Sequence, residues 1–497
     1  MPNDRVQTGV RQCGWHHRLA SPGSVRLAAV NLSRAAVDVV VVGAGPNGLA
    51  AAARLAVAGR RVVVFEAAAT IGGGSRTKAL TDTSVYDVCA AVHPFGVSSP
   101  AFAELDLERR GLRWLYPRVE LAHPFEDGTA AVILRDIAAT TSGLGADGAR
   151  WASTVGRLAA DWDRVRHLVL GPVLGNALHH PLQMARFGAL AGLPAAALVR
   201  LFRTREAQAL LGGLAAHSGV SLRQPTTAGV GLSMSAAAHA VGMPVAAGGS
   251  QAIIAALAAV VLDNGGEIVC DKPVTTLADL PRATATLLDV TPRQFTGMAG
   301  MRAPRWRHGV AAWKLDVLLS GPMPWAAAAC ADAATVHLGG AFAAVAAAES
   351  ATVRGELPDL PYVIVTQPSL VDSSRAPAGQ HVVWAYRHVP NGCTATTATT
   401  GIEAQFDRFA PGWRDLVLHR QVTTSTDYSA YNPNYIGGDI AGGAMTPWQT
   451  IARPRLALDP YLTSVPGVWL CSQSTPPGPG VHGMCGWHAA GSVLAHT

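Results

Sequence analysis

The segment from Val37 to Glu66 constrains this 497-residue chain more than any other. Val37-Asp38-Val39-Val40-Val41-Val42 is a short β-branched run, which suits a parallel strand buried on both faces. It leads directly into Gly43-Ala44-Gly45-Pro46-Asn47-Gly48. A helix-forming stretch from Ala50 to Ala58 follows, Gly59 stops it, and Val62-Val63-Val64-Phe65 reads as a second buried strand. Strand, helix and strand within about thirty residues make one βαβ unit. Gly43 then permits the tight turn, Gly45 leaves room for a pyrophosphate, and Gly48 lets helix and strand pack closely. With Pro46 and Asn47 between them, these residues open a helix whose first amides and partial positive charge face the phosphates. Glu66 ends the second strand 18 residues after Gly48, where an acid accepts hydrogen bonds from ribose hydroxyls and disfavours a 2′-phosphate. The same spacing recurs at Gly143-Leu144-Gly145-Ala146-Asp147-Gly148. That copy follows a helix-like stretch and leads to no strand ending in an acid, so it is expected to be a loop before a helix at 150.

Just beyond Glu66, Thr70-Ile71-Gly72-Gly73-Gly74-Ser75-Arg76-Thr77 places a glycine doublet ahead of a threonine. This is similar to the second dinucleotide signature, R-x-G-G-R-x-x-[ST], of the flavoprotein superfamily that holds amine oxidases and phytoene desaturases. Thr70 and Gly74 stand where the signature has arginines, so phosphate neutralisation is expected to fall to Arg76. Near the other end, Val468-Trp469-Leu470-Cys471 leads into a Gly/Pro loop through Gly480-Val481-His482-Gly483-Met484. It resembles the flavin-contacting loop of phytoene desaturase-like enzymes. From about Ala36 to Thr497 the chain resembles the phytoene desaturase-like flavoproteins of the pyridine nucleotide-disulfide oxidoreductase domain-containing protein 2 family. Asp87–Pro94, Gly242–Ser250 and Asn434–Gly443 carry that resemblance, with a shortened β-meander between Pro273 and Asp289 as a departure. It implies FAD as the cofactor, held by Gly43, Gly45, Pro46, Asn47, Gly48, Glu66, Gly72, Gly73, Arg76, Thr77, Val274, Gly480, Val481 and Gly483. No metal is expected.

The resemblance also nominates catalytic residues. Lys314 is one of only three lysines, and Trp313-Lys314-Leu315-Asp316 followed by Pro324-Trp325 resembles the strand on which amine oxidases place a lysine near flavin N5. There it would hold a water or assist proton transfer; the plainer alternative is a lysine snorkelling from a strand edge. His93 and His482 lie in family-like motifs, as proton carriers or as ordinary hydrogen-bonding side chains. Asp439, among four glycines, fixes a loop near the substrate or caps a turn. The family implies FAD-dependent dehydrogenation or desaturation of an apolar or amphipathic, carotenoid-like molecule, and the Ala/Leu-rich 150–240 region suits a greasy cavity. Two alternatives stay open. One is an amine oxidase-like flavoprotein with an aromatic cage from Trp448, Trp469 and Trp487. The other is a non-catalytic escort protein of the same fold that binds lipid or prenyl groups. The electron acceptor and the oligomeric state are left open.

The fold expected is α/β: a Rossmann-type FAD-binding domain, glutathione reductase/amine oxidase-like, with an inserted α+β substrate domain. Nucleotide-type patterns at 36–110, 245–300 and 455–497 assign those segments to the first domain, and 111–244 with 301–454 to the second. Residues 1–35 read as a basic, disordered extension without the apolar core of a secretory signal. They carry five arginines against one aspartate, so most of the net charge of +6 is local and no polyanion-binding face is expected. Seven cysteines without C-x-x-C spacing argue against zinc and dithiol chemistry and fit a reducing, cytoplasmic setting. No apolar run reaches the ~18–20 residues of a membrane span, which leaves peripheral membrane contact open.

Overall fold

The structure is a computed structural model that describes residues 37–497; the extension expected at 1–35 lies outside the described residues. The valine run forms the strand Val39–Val42, buried along its whole length at the centre of a five-stranded sheet. Across that sheet the strands are Val468–Leu470, Ala285–Leu288, Val39–Val42, Val62–Phe65 and Glu267–Val269, all parallel. Alternation along the strands sends Val39, Val41, Val62 and Val64 to one face, against the helices Pro46–Val57, Gln251–Asp263 and Met484–His496. Val40, Val42, Val63 and Phe65 face Phe295 and Met298 on the other. Both faces are covered, which is why these strands are continuous apolar runs rather than alternating ones. The helix after the glycine loop begins at Pro46, four residues before the expected start, because Pro46 at its first turn carries a helical φ and lacks only an amide the helix does not need.

The second sheet has seven strands, in the order Val417–Thr423, Ala311–Leu319, His381–Val389, Val363–Thr366, Thr335–Leu338, Leu121–Pro124 and Ala130–Ile133. All neighbours are antiparallel except the pair Thr335–Leu338 and Leu121–Pro124. The strand Ala311–Leu319 is wholly buried. Trp313, Leu315, Val317 and Leu319 pack on the helix Thr397–Phe409. Ala312 and Leu318 point the other way, into a cluster with Leu80, Tyr86, Val88, Tyr428 and Tyr435, and by alternation Lys314 and Asp316 share that face.

The helices between 137 and 240 are shorter than the sequence suggests. The stretch 151–170 breaks into segments, with a π-turn at Ala152–Gly156 and a stop at Asp161. Ser153 and Thr154 hydroxyls both donate back to the Arg150 carbonyl there, and such local bonds compete with regular helix. The stretch 196–211 is interrupted at Phe202–Thr204, where Asp147 accepts the Arg203 and Thr204 amides and Thr204 caps the next helix. The second glycine motif starts at the end of the helix Ile137–Gly143 and runs through the 3-10 turn Gly145–Asp147 into the helix Gly148–Trp151, with no strand on either side of it. Between 271 and 284 there is one short 3-10 turn and no strand. No single helix among the described residues is long and apolar enough to cross a membrane.

Candidate dinucleotide and active site

The glycine loop is built by close approach. Gly43 has φ +100°, and its amide donates to the Phe65 carbonyl at 2.7 Å, which ties the loop to the end of the second strand. A Cβ on Gly48 would stand 2.0 Å from the Gly43 carbonyl oxygen, so no other residue fits. The helix that begins at Pro46 has no cap from the side chain of its own N-cap residue and no acid in its first turn.

Two further segments close on this loop. Gly72 donates its amide to the Ala44 carbonyl at 2.9 Å, and a Cβ on Gly73 would lie 3.2 Å from the Gly45 Cα. From the far end of the chain, Gly483 at φ +68° opens the helix Met484–His496. Gly486 in its first turn crosses so near that a Cβ would meet the Asn47 carbonyl oxygen at 1.8 Å. The loop through Gly480 and Val481 is pinned by Ser99, which donates to the His482 carbonyl at 2.6 Å. Gly43, Gly45, Gly48, Gly72, Gly73 and Gly483 thus belong to one neighbourhood. Val274 lies apart, packed at the edge of the sheet cluster around Val63 and Phe65.

Glu66 accepts the Ala44 amide at 2.8 Å and the Ala68 amide at 3.0 Å. Arg76 pairs with it at 3.4 Å and also donates to Thr70, Gly73 and Tyr431. The Arg76 guanidinium is thus folded onto the acid that ends the second strand. Thr77 donates to Asp87 at 2.6 Å and accepts the Gln251 amide, so it is tied inward. The Asn47 Oδ1 and Ser75 Oγ atoms are buried without a partner. A helix N-terminus, glycines at each contact and two orphaned polar atoms fit a dinucleotide diphosphate laid across this loop.

One acid escaped the sequence reading. Asp289, at the end of the strand Ala285–Leu288, accepts the Gly48 amide at 3.0 Å. Its signal was present: Thr286-Leu287-Leu288-Asp289 repeats the pattern of Val63-Val64-Phe65-Glu66, a buried strand ending in an acid.

The candidate catalytic residues occupy a buried polar network. Lys314 donates to the Asp87 carbonyl at 2.6 Å and pairs with Asp316 at 2.8 Å. Its ammonium lies over the rings of Tyr86 and Trp384 at 4.6 and 5.0 Å. It sits in an interior strand and is buried, so it does not snorkel from an edge. The Asp87 carboxylate accepts Arg375 at 2.7 Å and the Ser250 amide at 2.8 Å, and the Ser250 hydroxyl meets His93 Nε2 at 2.8 Å. Burial alone would push the Asp87 carboxyl up; Arg375 and the bonds from Thr77 and Ser250 outweigh it and hold the acid below its usual range. Lys314 and His93 therefore share one network. His482 is outside it, with Nδ1 accepting the Met484 amide at 3.0 Å. Burial pushes both histidines down to about 4, so neither holds a spare proton near neutral pH. Asp439 accepts the Gly309 and Ala441 amides and lies 3.5 Å from His308, which makes it a loop-fixing residue.

Trp448 is exposed while Trp469 and Trp487 are core residues of the first sheet's helical layer, so they form no cage. Cys471 and Cys485 are free and buried, and burial raises both thiols, Cys485 to about 12, which leaves no thiolate for disulfide exchange.

Residues 41–105 match the family model described as NAD(P)-binding Rossmann-like domain. The chain carries a Rossmann-like dinucleotide-binding domain. Part of the chain is homologous to pyridine nucleotide-disulfide oxidoreductase domain-containing protein 2 of Mus musculus, 31% identical over 153 residues, which cover 28% of this chain and 26% of the relative. The aligned stretch is thus about a quarter of that protein's length. Around the Rossmann-like domain, the whole architecture is similar to a triple mutant of putrescine oxidase, with a TM-score of 0.60, 18% identity, and coverage of 93% of this chain and 99% of that one. An oxidoreductase from Methanosarcina mazei is similar at a TM-score of 0.57 and 16% identity, covering 92% of this chain and 100% of that one. The fold, a Rossmann-like domain joined to a mixed-sheet domain, is thus similar to that of putrescine oxidase.

Proposed function

We propose that the chain is an FAD-dependent oxidoreductase that dehydrogenates an apolar or amphipathic small molecule, with carotenoid-like desaturation as its narrowest form. One observation carries this reading: the glycine loop, the Gly72–Gly73 turn and the N-terminus of the closing helix converge from three parts of the chain on one place. Bound FAD would supply the hydride and electron chemistry itself. The residues around it would bind and orient: Glu66 would hold the ribose, the N-terminus of the Pro46–Val57 helix would take the diphosphate, and the Gly480–Gly483 turn brings a second helix N-terminus against the first. Asp316 and the Asp87 carbonyl hold the buried Lys314 Nζ in a fixed position, near the rings of Tyr86 and Trp384.

An amine oxidase-like activity is the second reading. Its support is the similarity in fold to putrescine oxidase. Against it, the aromatic pair Tyr86 and Trp384 is already filled by the chain's own ammonium, which leaves no vacancy for a substrate cation. The test is anaerobic reduction of the FAD-loaded protein with polyenes, amines and NAD(P)H. Bleaching by a polyene or another amphipathic alkene supports the first reading. Bleaching by amines alone replaces it with the second, and a folded protein that takes up no FAD favours an escort role instead.

A further inference from the structure

The order of the five-stranded sheet reverses at Val39–Val42: Val62–Phe65 lies on one side and Ala285–Leu288 on the other. The crevice beyond the carboxyl ends of the strands at such a reversal is where open parallel sheets take ligands. Asp289 stands in it. Its Oδ2 accepts the Gly48 amide at 3.0 Å, and lies 3.0 Å from where a Cβ on Gly45 would sit. That is the space which glycine leaves for a pyrophosphate. Its own Cβ is 3.0 Å from the Cβ position of Gly43. The acid therefore occupies the surface a diphosphate must approach.

Apart from the helix N-terminus that Gly48 presents, the surroundings give the carboxyl no cationic partner. Among the described residues no lysine, arginine or histidine pairs with it. The titratable groups that interact with it are Glu66 from the second strand, Tyr435 from the loop after Ser425–Tyr431, Cys471 beyond the last strand and Cys485 in the closing helix. Arg76 is engaged with Glu66. Burial pushes the acid up to about 7, Glu66 adds to the rise, and the Gly48 amide opposes it. An ionised Asp289 would repel a diphosphate in this low-dielectric crevice, whereas the neutral acid has an O–H to donate.

We propose that Asp289 is a diphosphate ligand of the dinucleotide site that binds as the neutral acid, donating to a phosphate oxygen, so that cofactor uptake carries a proton with it. This rests on the dinucleotide reading above and adds a binding residue and a proton to it.

The test is a titration of the full chain with FAD, followed by flavin fluorescence, for wild type, Asp289→Asn and Asp289→Ala. Wild-type affinity should fall by up to about tenfold per pH unit above about pH 7, because binding then requires a proton taken from solvent. Asn stays neutral and can both donate and accept, so Asp289→Asn should keep its affinity at about pH 6 through about pH 8.5. Asp289→Ala lacks the donor and should bind roughly tenfold or more weakly at about pH 6. Calorimetry of wild type in two buffers of different ionisation enthalpy supplies a readout free of any folding defect. At about pH 8 it should show about one proton taken up per FAD. The proposal is overturned by a wild-type affinity that follows the same pH course as the Asn variant, by no proton uptake, or by an alanine variant that matches asparagine. Failure of wild type to bind FAD even at about pH 6 overturns the dinucleotide reading itself, a different and recognisable result.

Discussion

At the scale of single residues, two acids carry the sharpest consequences. Glu66 holds two backbone amides and Arg76 in place. Glu66→Ala removes charge-assisted bonds worth ~1.5–3 kcal/mol, so FAD retention should drop roughly ten- to a hundredfold in equilibrium dialysis. Glu66→Gln keeps the shape and should lose less. Asp316 is the other. Burial pushes its carboxyl up despite the neighbouring Lys314, and neither oxygen has a hydrogen-bond partner beyond the ion pair. Lys314→Met strands that carboxylate, which should destabilise the chain by ~3–5 kcal/mol in urea denaturation. Replacing both, with Lys314→Met and Asp316→Leu, should recover most of the loss. Asp289 and Asp316 both titrate higher folded than their ordinary value of 3.8. The folded chain thus keeps protons that the unfolded chain releases, and the stability these groups contribute is full below about pH 4 and lost as pH rises through the folded values. Between about pH 4 and 7, the urea midpoint of Asp289→Asn should therefore fall less steeply than that of wild type.

At the scale of elements, the contact between the closing helix and the glycine-loop helix should be the least tolerant of added volume. Gly486→Ala drives a Cβ into the Asn47 carbonyl and should cost ~1–3 kcal/mol with weaker FAD retention. Gly297→Ala, in the helix Pro292–Met298 with nothing within 4 Å of the new Cβ, should be neutral or stabilising by ~0.5–1 kcal/mol in the same denaturation assay. Elements with a strong local signal were legible from the chain alone. The valine run, the glycine turn and the acid-ended second strand are encoded within about thirty residues. The breaks at Ala152–Gly156 and Phe202–Thr204 were not, because they depend on Ser153, Thr154 and Asp147 bonding to backbone that apolar periodicity does not register. Asp289 was missed because its strand is only four residues long and its partner Gly48 is 241 residues away. The pairing of Arg76 with Glu66 was not legible either, because it is a contact that spacing does not show.

At the scale of the whole molecule, one parallel sheet takes its strands from 39–65, 267–288 and 468–470, while a second, mixed sheet brings Lys314 and Asp316 to the face nearest Asp87. The chain must therefore fold across long sequence separations before the site exists, and the last helix completes it. Removing Met484–Thr497 should abolish FAD binding even if soluble protein remains, which gel filtration with visible absorbance would show. The central claim is that the converged glycines hold FAD. Its most direct test is equilibrium binding of FAD to the full-length chain at about pH 6, with NAD as the comparison. The account predicts one FAD per chain, retained through gel filtration, bleached on anaerobic reduction, and not displaced by NAD. A folded chain that binds NAD in preference, or neither nucleotide, would contradict it.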